Sequence, residues 1–157
     1  MKTKLKSVPK KTKKVTKVVE KKVVAAKPNY VYAVGRRKTA TARVRLYSGK
    51  GETLVNEKSV AEYFPGETAR VLFNQPFQVT KTEGRYYATI KVEGSGKSGQ
   101  VAAAVHGLAR ALDKDNHDLY HPALKASDLL TRDSRERERR KPGLGGKARR
   151  QKQSPKR

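Results

Sequence analysis

Apolar and polar side chains alternate with period two along one stretch of the central part of the chain, with other β-rich runs beside it. Residues 30–34 (Tyr-Val-Tyr-Ala-Val) are β-rich. After Gly35-Arg36-Arg37-Lys38 the pattern resumes over 39–47, with Arg43 and Arg45 on one face and Val44 and Leu46 on the other. That is the signature of a half-buried strand. Two strands joined by a turn of three cations predict a sheet with one packed face and one cationic face. A short strand over 53–55 follows a Gly49/Gly51 turn. The stretches 77–80 and 85–92 predict a hairpin around Glu83-Gly84.

Helical spacing takes over elsewhere. Residues 58–64 predict a short helix stopped by Pro65-Gly66, and 67–73 another, closed by Pro76. The clearest helix spans 100–112, where Val101, Val105, Leu108 and Leu112 form one apolar stripe. Its other side is small (Ala102, Ala103, Gly107) and suits close packing on a sheet or a phosphate backbone. Residues 113–118 read as a loop and 119–127 as a last short helix, with Pro122 near its start, where proline is tolerated.

Neither end of the chain carries such a pattern. The net charge is +24, from 38 Lys+Arg against 14 Asp+Glu. Residues 1–27 hold 11 lysines and one acid, and residues 131–157 hold 12 cations and three acids. Only +5 lies between them, together with all ten aromatic residues. The chain divides into a basic extension over 1–28, disordered when free, a globular domain over 29–141 and an extended tail over 142–157. A charge excess of this size calls for a polyanion, and nucleic acid is the usual one. No apolar run approaches the ~20 residues of a membrane span. Without cysteine there is no disulfide framework or thiolate metal site. No hydrophobic signal region precedes the domain, so a cytoplasmic location is expected.

The two basic ends differ in kind. Eight of the twelve cations after residue 130 are arginine, against none in residues 1–27. Arginine makes forked contacts to phosphate and stacks on bases, whereas lysine supplies a point charge. Residues 135–139, where Glu136 and Glu138 alternate with arginines, suit an extended edge strand or an internally paired helix. Sixteen extended residues from 142 reach roughly 50 Å, against a radius of gyration near ~13 Å for a domain of this size.

Three motifs invite chemistry. Gly94-x-Gly96-x-x-Gly99 has the dinucleotide spacing at a strand-to-helix junction, but no second strand with a terminal acid follows. Lys91 stands where a Walker loop needs glycine. Helix-terminal amides with Lys97 and Ser98 suit an RNA backbone phosphate better than a nucleotide cofactor. His117 and His121 are four apart, yet the sequence shows no third ligand beside them, so no metal is expected. His106 has no nucleophile or carboxylate placed with it. Neither a catalytic group, a cofactor nor a small-molecule substrate is expected. The other class considered is a histone-like DNA-compaction protein.

The segments Gly35-Arg36-Arg37-Lys38 through Leu46, Gly94 through Gln100 with His106 to Leu112, and Leu130-Thr131-Arg132-Asp133 through Arg149-Arg150 to Lys156-Arg157 together resemble the bacterial small-subunit ribosomal protein S-nine family (universal family uS-nine). The resemblance implies an α+β fold with a four-stranded mixed sheet and helices packed on one side, like the second domain of the fifth small-subunit protein. It implies binding to rRNA of the small-subunit head among neighbouring head proteins, and a tail whose tip meets the anticodon stem-loop of P-site tRNA. The expected rRNA contacts are Arg36, Arg37, Lys38, Arg43, Arg45, Lys97, Ser98, Arg110, Arg132, Arg135, Arg139, Arg140, Lys141, Lys147, Arg149 and Arg150. The tRNA contact falls to Lys156 and Arg157. Family members commonly carry an aromatic residue before Ser-Lys-Arg at the tip; here the chain ends Ser154-Pro155-Lys156-Arg157.

Overall fold

The computed structural model describes residues 29–139. The proposed extension over 1–28 and the tail from 142 lie outside them, as do Arg140, Lys141, Lys147, Arg149, Arg150, Lys156 and Arg157. In chain order the elements are β1 (Val31–Arg37), β2 (Ala40–Ser48), β3 (Leu54–Val55), β4 (Lys58–Ser59), α1 (Val60–Tyr63), α2 (Glu67–Val79), β5 (Tyr86–Glu93), α3 (Lys97–Asp115) and α4 (His117–Ala126). The fold is α+β. The sheet has five strands rather than four, in the order β1-β2-β5-β3-β4. It is mixed, because β3 runs parallel to β5 while the other pairs are antiparallel.

The fifth strand comes from residues expected to open a helix. Asn56 and Glu57 both take left-handed conformations (φ 48° and 68°) and turn the chain in two residues, which lets Lys58-Ser59 pair back onto Leu54-Val55. An Asn-Glu turn lacks the glycine that usually announces such a hairpin. The Asn56 side chain takes the place of a strand residue: its amide donates to the Val92 carbonyl at 3.0 Å and its Oδ1 accepts from Val92 N–H at 2.9 Å. Ser59 then caps α1 by accepting from Glu62 N–H.

The expected strand over 77–80 is instead the last turn of α2, which continues through Pro76. Proline there forfeits one helical hydrogen bond. Burial of Phe73, Pro76 and Phe77 on one face keeps the helix intact, and the Thr80 hydroxyl donates to the Pro76 carbonyl at 2.8 Å. The loop expected over 113–118 shrinks to a break at Asn116, with α3 running to Asp115 and α4 starting at His117.

Period-two burial holds where it was read. Ala42, Val44 and Leu46 of β2 and Ala88, Ile90 and Val92 of β5 are buried under the helices, while Arg43, Arg45, Thr89 and Lys91 face outward. The α3 stripe (Val101, Val105, Leu108, Leu112) fills the same core with Phe64, Tyr120 and Leu124. The small side of α3 packs on the sheet rather than on phosphate. A Cβ on Gly35 would lie 2.0 Å from the Ala103 carbonyl oxygen and 2.3 Å from Gly107 N, so the β1 and α3 backbones touch directly.

α3 also closes the free edge of β1. Three of its side chains, four residues apart, reach three alternate strand residues. His106 Nδ1 accepts from Arg36 N–H at 3.3 Å, Arg110 Nη1 donates to the Val34 carbonyl at 2.6 Å, and Lys114 Nζ donates to the Tyr32 carbonyl at 3.1 Å. The spacing works because four helical residues rise about 6 Å and two strand residues about 6.7 Å.

Candidate nucleic-acid interface

The cationic groups gather at one end of the sheet and across its open face. At that end, Arg36 and Lys38 are exposed in the β1–β2 turn, with Lys38 itself left-handed (φ 51°). The β5–α3 loop lies against this turn. Gly94 (φ 78°) brings its backbone so near that a Cβ would sit 2.4 Å from the Thr39 carbonyl oxygen. The loop is braced from behind, where Gln100 Nε2 donates to the Gly94 carbonyl at 3.0 Å and Gln100 Oε1 accepts from the Tyr63 hydroxyl at 3.0 Å. Ser98 is exposed at the start of α3. Lys97 is turned inward along α1. Its Nζ donates to the Tyr63 carbonyl at 3.0 Å and lies 3.4 Å from the Tyr63 ring centroid, so its charge is partly engaged within the domain.

The segment that carries the chain toward its basic end starts at the same place. Beyond α4, Leu129 and Leu130 pack on the core, and residues 132–139 run in neither helix nor strand, unlike both forms expected of 135–139. Arg37 holds this segment down. Its guanidinium donates to the Arg135 carbonyl and pairs with Asp133 Oδ2 at 2.9 Å. Asp133 also accepts from Arg135 Nε at 3.0 Å, Nη2 at 2.7 Å and the Arg135 backbone N–H at 2.9 Å. These donors, with the Arg37 charge, hold the Asp133 carboxyl far below the usual carboxylate range. The same carboxylate raises the Arg135 guanidinium. Arg132 and Arg139 remain exposed.

Across the open face, Arg43 and Lys91 share Glu93 at 3.6 and 3.8 Å, and all three are more than half exposed. Such pairs contribute little and leave both cations free to meet a phosphate. Arg45 lies 5.4 Å from the Tyr30 ring centroid. Tyr30, Tyr47 and Tyr87 form a row, with Tyr47 and Tyr87 stacked 5.0 Å apart at 11°. Tyr30, Arg43, Arg45, Lys91 and Glu93, with Tyr32 and Thr89, line a concavity of about 890 Å³ on this face. Sequence reading placed Arg43 and Arg45 on this face but missed Lys91 and the tyrosine row. The signal was there, since Tyr87, Thr89 and Lys91 share the parity opposite to Ala88 and Ile90.

Arg110 and His106 sit away from the open face, at the β1 edge. The His106 ring is fully used. Nδ1 accepts from Arg36 N–H, so the proton resides on Nε2, which faces the Leu130 carbonyl at 3.2 Å. Burial lowers the His106 pKa below its ordinary 6.5, helped by the charges of Arg110 and Arg132 and opposed by the Leu130 hydrogen bond. Between the folded value and 6.5 the unfolded chain binds more protons. This contribution is therefore complete above 6.5 and is lost as pH falls through that window. In His106→Asn, the amide oxygen can accept from Arg36 N–H but cannot titrate. Its stability deficit relative to the natural chain, measured by urea unfolding from about pH 8 to about pH 5, is expected to shrink as pH falls. A constant deficit would show that His106 does not titrate differently on folding.

A compact α+β domain with a cationic, tyrosine-bearing sheet face and a basic segment leaving its edge has the build of a polyanion-binding protein. The chain belongs to the ribosomal protein S9/S16 family, whose profile matches residues 35–157. It is therefore a small-subunit ribosomal protein, a structural component of a ribonucleoprotein that serves translation. Among the described residues no helix is long and apolar enough to cross a membrane.

Proposed function

We propose that this chain binds small-subunit rRNA in the head of a cytoplasmic ribosome and sends its last residues to P-site tRNA. The observation that carries this reading is the Arg37–Asp133 clamp. It sets the root of the basic segment beside the exposed cations of the β1–β2 turn, so domain and tail start from one shared phosphate-facing end. Arg36, Lys38 and Ser98 meet rRNA phosphates there, with Arg132, Arg135 and Arg139 continuing the track. Arg43 and Arg45 add contacts from the open face. Arg37 and Arg110 serve the same end by positioning, one through Asp133 and one through the Val34 carbonyl. Lys97 adds charge beside the turn while held by Tyr63. Arg140, Lys141, Lys147, Arg149 and Arg150 extend the phosphate track. Lys156 and Arg157 neutralise phosphates of the tRNA anticodon stem-loop, and neighbouring head proteins meet the remaining surface.

Small subunits reconstituted with a chain lacking Lys156 and Arg157 are expected to assemble normally and to release P-site tRNA faster in a filter-retention assay. Unchanged release would remove the tip from the tRNA contact, and failed assembly would make it an assembly element. The intact chain is also expected to prefer a folded rRNA head fragment over duplex DNA at matched salt. Equal affinity would favour DNA compaction instead.

A further inference from the structure

The corner between α3 and α4 brings together three side chains that the RNA-binding reading leaves unused. Asp113 lies in the last turn of α3, and His117 and His121 lie one turn apart on α4, across the break at Asn116. Both imidazoles turn toward one carboxylate oxygen. His117 Nδ1 is 3.0 Å and His121 Nδ1 is 2.9 Å from Asp113 Oδ1, and the two rings lie 4.3 Å apart between centroids. The three ligand atoms all fall within 4.8 Å of one another.

We propose that Asp113, His117 and His121 form a binding site for one divalent late first-row metal ion, with zinc as the leading occupant. Two imidazole nitrogens and one carboxylate oxygen are the donor set these ions favour, whereas calcium and magnesium take oxygen donors. The spacing fits. Donors about 2.1 Å from a zinc ion stand about 3.0 Å apart at right angles and about 3.4 Å apart at tetrahedral angles. Each N–O separation of 2.9–3.0 Å therefore widens slightly, the two imidazole nitrogens, within 4.8 Å of one another, settle to the same spacing, and water takes the remaining position. Metal binding replaces the two Nδ1 protons, or selects the Nε2–H tautomers, so that both Nδ1 lone pairs face the ion.

The surroundings favour a cation in a chain that otherwise repels one. Asp115 and Asp118 flank the trio, against Lys114 alone within residues 113–118. Asp115 is not a competing ligand, because its Oδ2 accepts the Tyr86 hydroxyl at 2.6 Å and the Asn116 amide at 3.2 Å. The corner is accessible, with the His117 side chain 64% exposed and that of His121 33%. The chain's one other histidine, His106, has both ring nitrogens occupied, and there is no cysteine. Because the ligands come from both sides of Asn116, a bound ion fixes the angle at which α4 lays Tyr120 and Leu124 on the core.

The test uses the purified full-length chain with Co²⁺ alone as a visible probe and Zn²⁺ as competitor. A single saturable d–d absorption band is expected in the micromolar range, displaced by Zn²⁺, with a metal-dependent rise in Tm that a chelator reverses. His121→Ala and Asp113→Asn are each expected to weaken binding at least tenfold, while His106→Asn leaves it unchanged. His117→Ala, at the most exposed of the three positions, repeats the test where folding is least at risk, and circular dichroism confirms that each variant is folded. Absence of saturable binding would overturn the proposal. So would a band that survives in the His117→Ala/His121→Ala double variant. Undiminished binding in Asp113→Asn would reduce the site to an ordinary histidine pair and overturn the three-ligand assignment.

Discussion

Gly35→Ala is expected to destabilise the domain by about 3 kcal/mol or more, at the upper end of what overpacking costs. The new methyl would sit 2.0 Å from the Ala103 carbonyl oxygen and 2.3 Å from Gly107 N. Both are backbone atoms of α3, so no side chain can swing away, and β1 and α3 must separate along their whole contact. Two comparisons isolate the cause. In Gly107→Ala the new methyl meets the buried Val44 Cγ2 at 2.7 Å and the Gly35 backbone N at 3.1 Å, closer than an ordinary contact but far less close than the 2.0 and 2.3 Å backbone approaches at Gly35. The roughly 1 kcal/mol gained in helix propensity offsets part of the clash, so the loss is smaller. Gly96→Ser places its Cβ in open space at the N-cap of α3. It is expected to be neutral or to stabilise by a few tenths of a kcal/mol. Urea unfolding followed by circular dichroism ranks the three. Equal losses in Gly35→Ala and Gly107→Ala would mean that backbone contact is not what holds β1 to α3.

Ending the chain at Arg139 is expected to leave Tm unchanged while removing a large part of the salt dependence of rRNA binding. The core of the described residues lies between Ala33 and Leu124, well before residues 140–157. They carry eight lysines and arginines and no acid. Leaving out Lys156 and Arg157, which the proposal assigns to tRNA, the other six, each neutralising one phosphate, make the slope of log K against log salt shallower by about 4 on the single-strand coefficient and 5 on the duplex one. The affinity gap between full and truncated chains is then widest at low salt and closes as salt rises. Fluorescence anisotropy with a head fragment of the rRNA across a salt series measures both. A gap independent of salt would assign the tail to shape or stacking contacts instead of phosphate neutralisation.

How much of this was legible depended on whether neighbouring residues alone decided it. β1, β2 and β5 were readable because one face is wet, so Arg43 and Arg45 alternate visibly with Val44 and Leu46. The α3 stripe was readable for the matching reason at helical period. α2 was cut short at Pro76 because the local cost of proline is certain, whereas the burial of Phe73 and Phe77 that outweighs it depends on the tertiary core. The fifth strand was missed because Asn56 earns its left-handed turn through bonds to Val92, 36 residues away. Asp113 was missed as a companion of the two histidines for a simpler reason. Reading residues 113–118 as loop dissolved the helix-end register that points all three at one spot. The cationic residues stood out in the sequence, but their different surroundings did not. Nothing in a string of arginines separates Arg43, open to solvent, from Arg37, clamped on Asp133.

The row of His106, Arg110 and Lys114 along β1 also determines how this protein can meet others. A bare strand edge invites a further strand from any chain that passes, including another copy. Here three successive outward positions of that edge are already occupied by the protein's own helix, and the opposite edge, β4, is two residues long. Self-pairing through the sheet edges is thereby disfavoured among the described residues. A variant such as Arg110→Ala is expected to reopen that route to aggregation of the free protein, which light scattering would show.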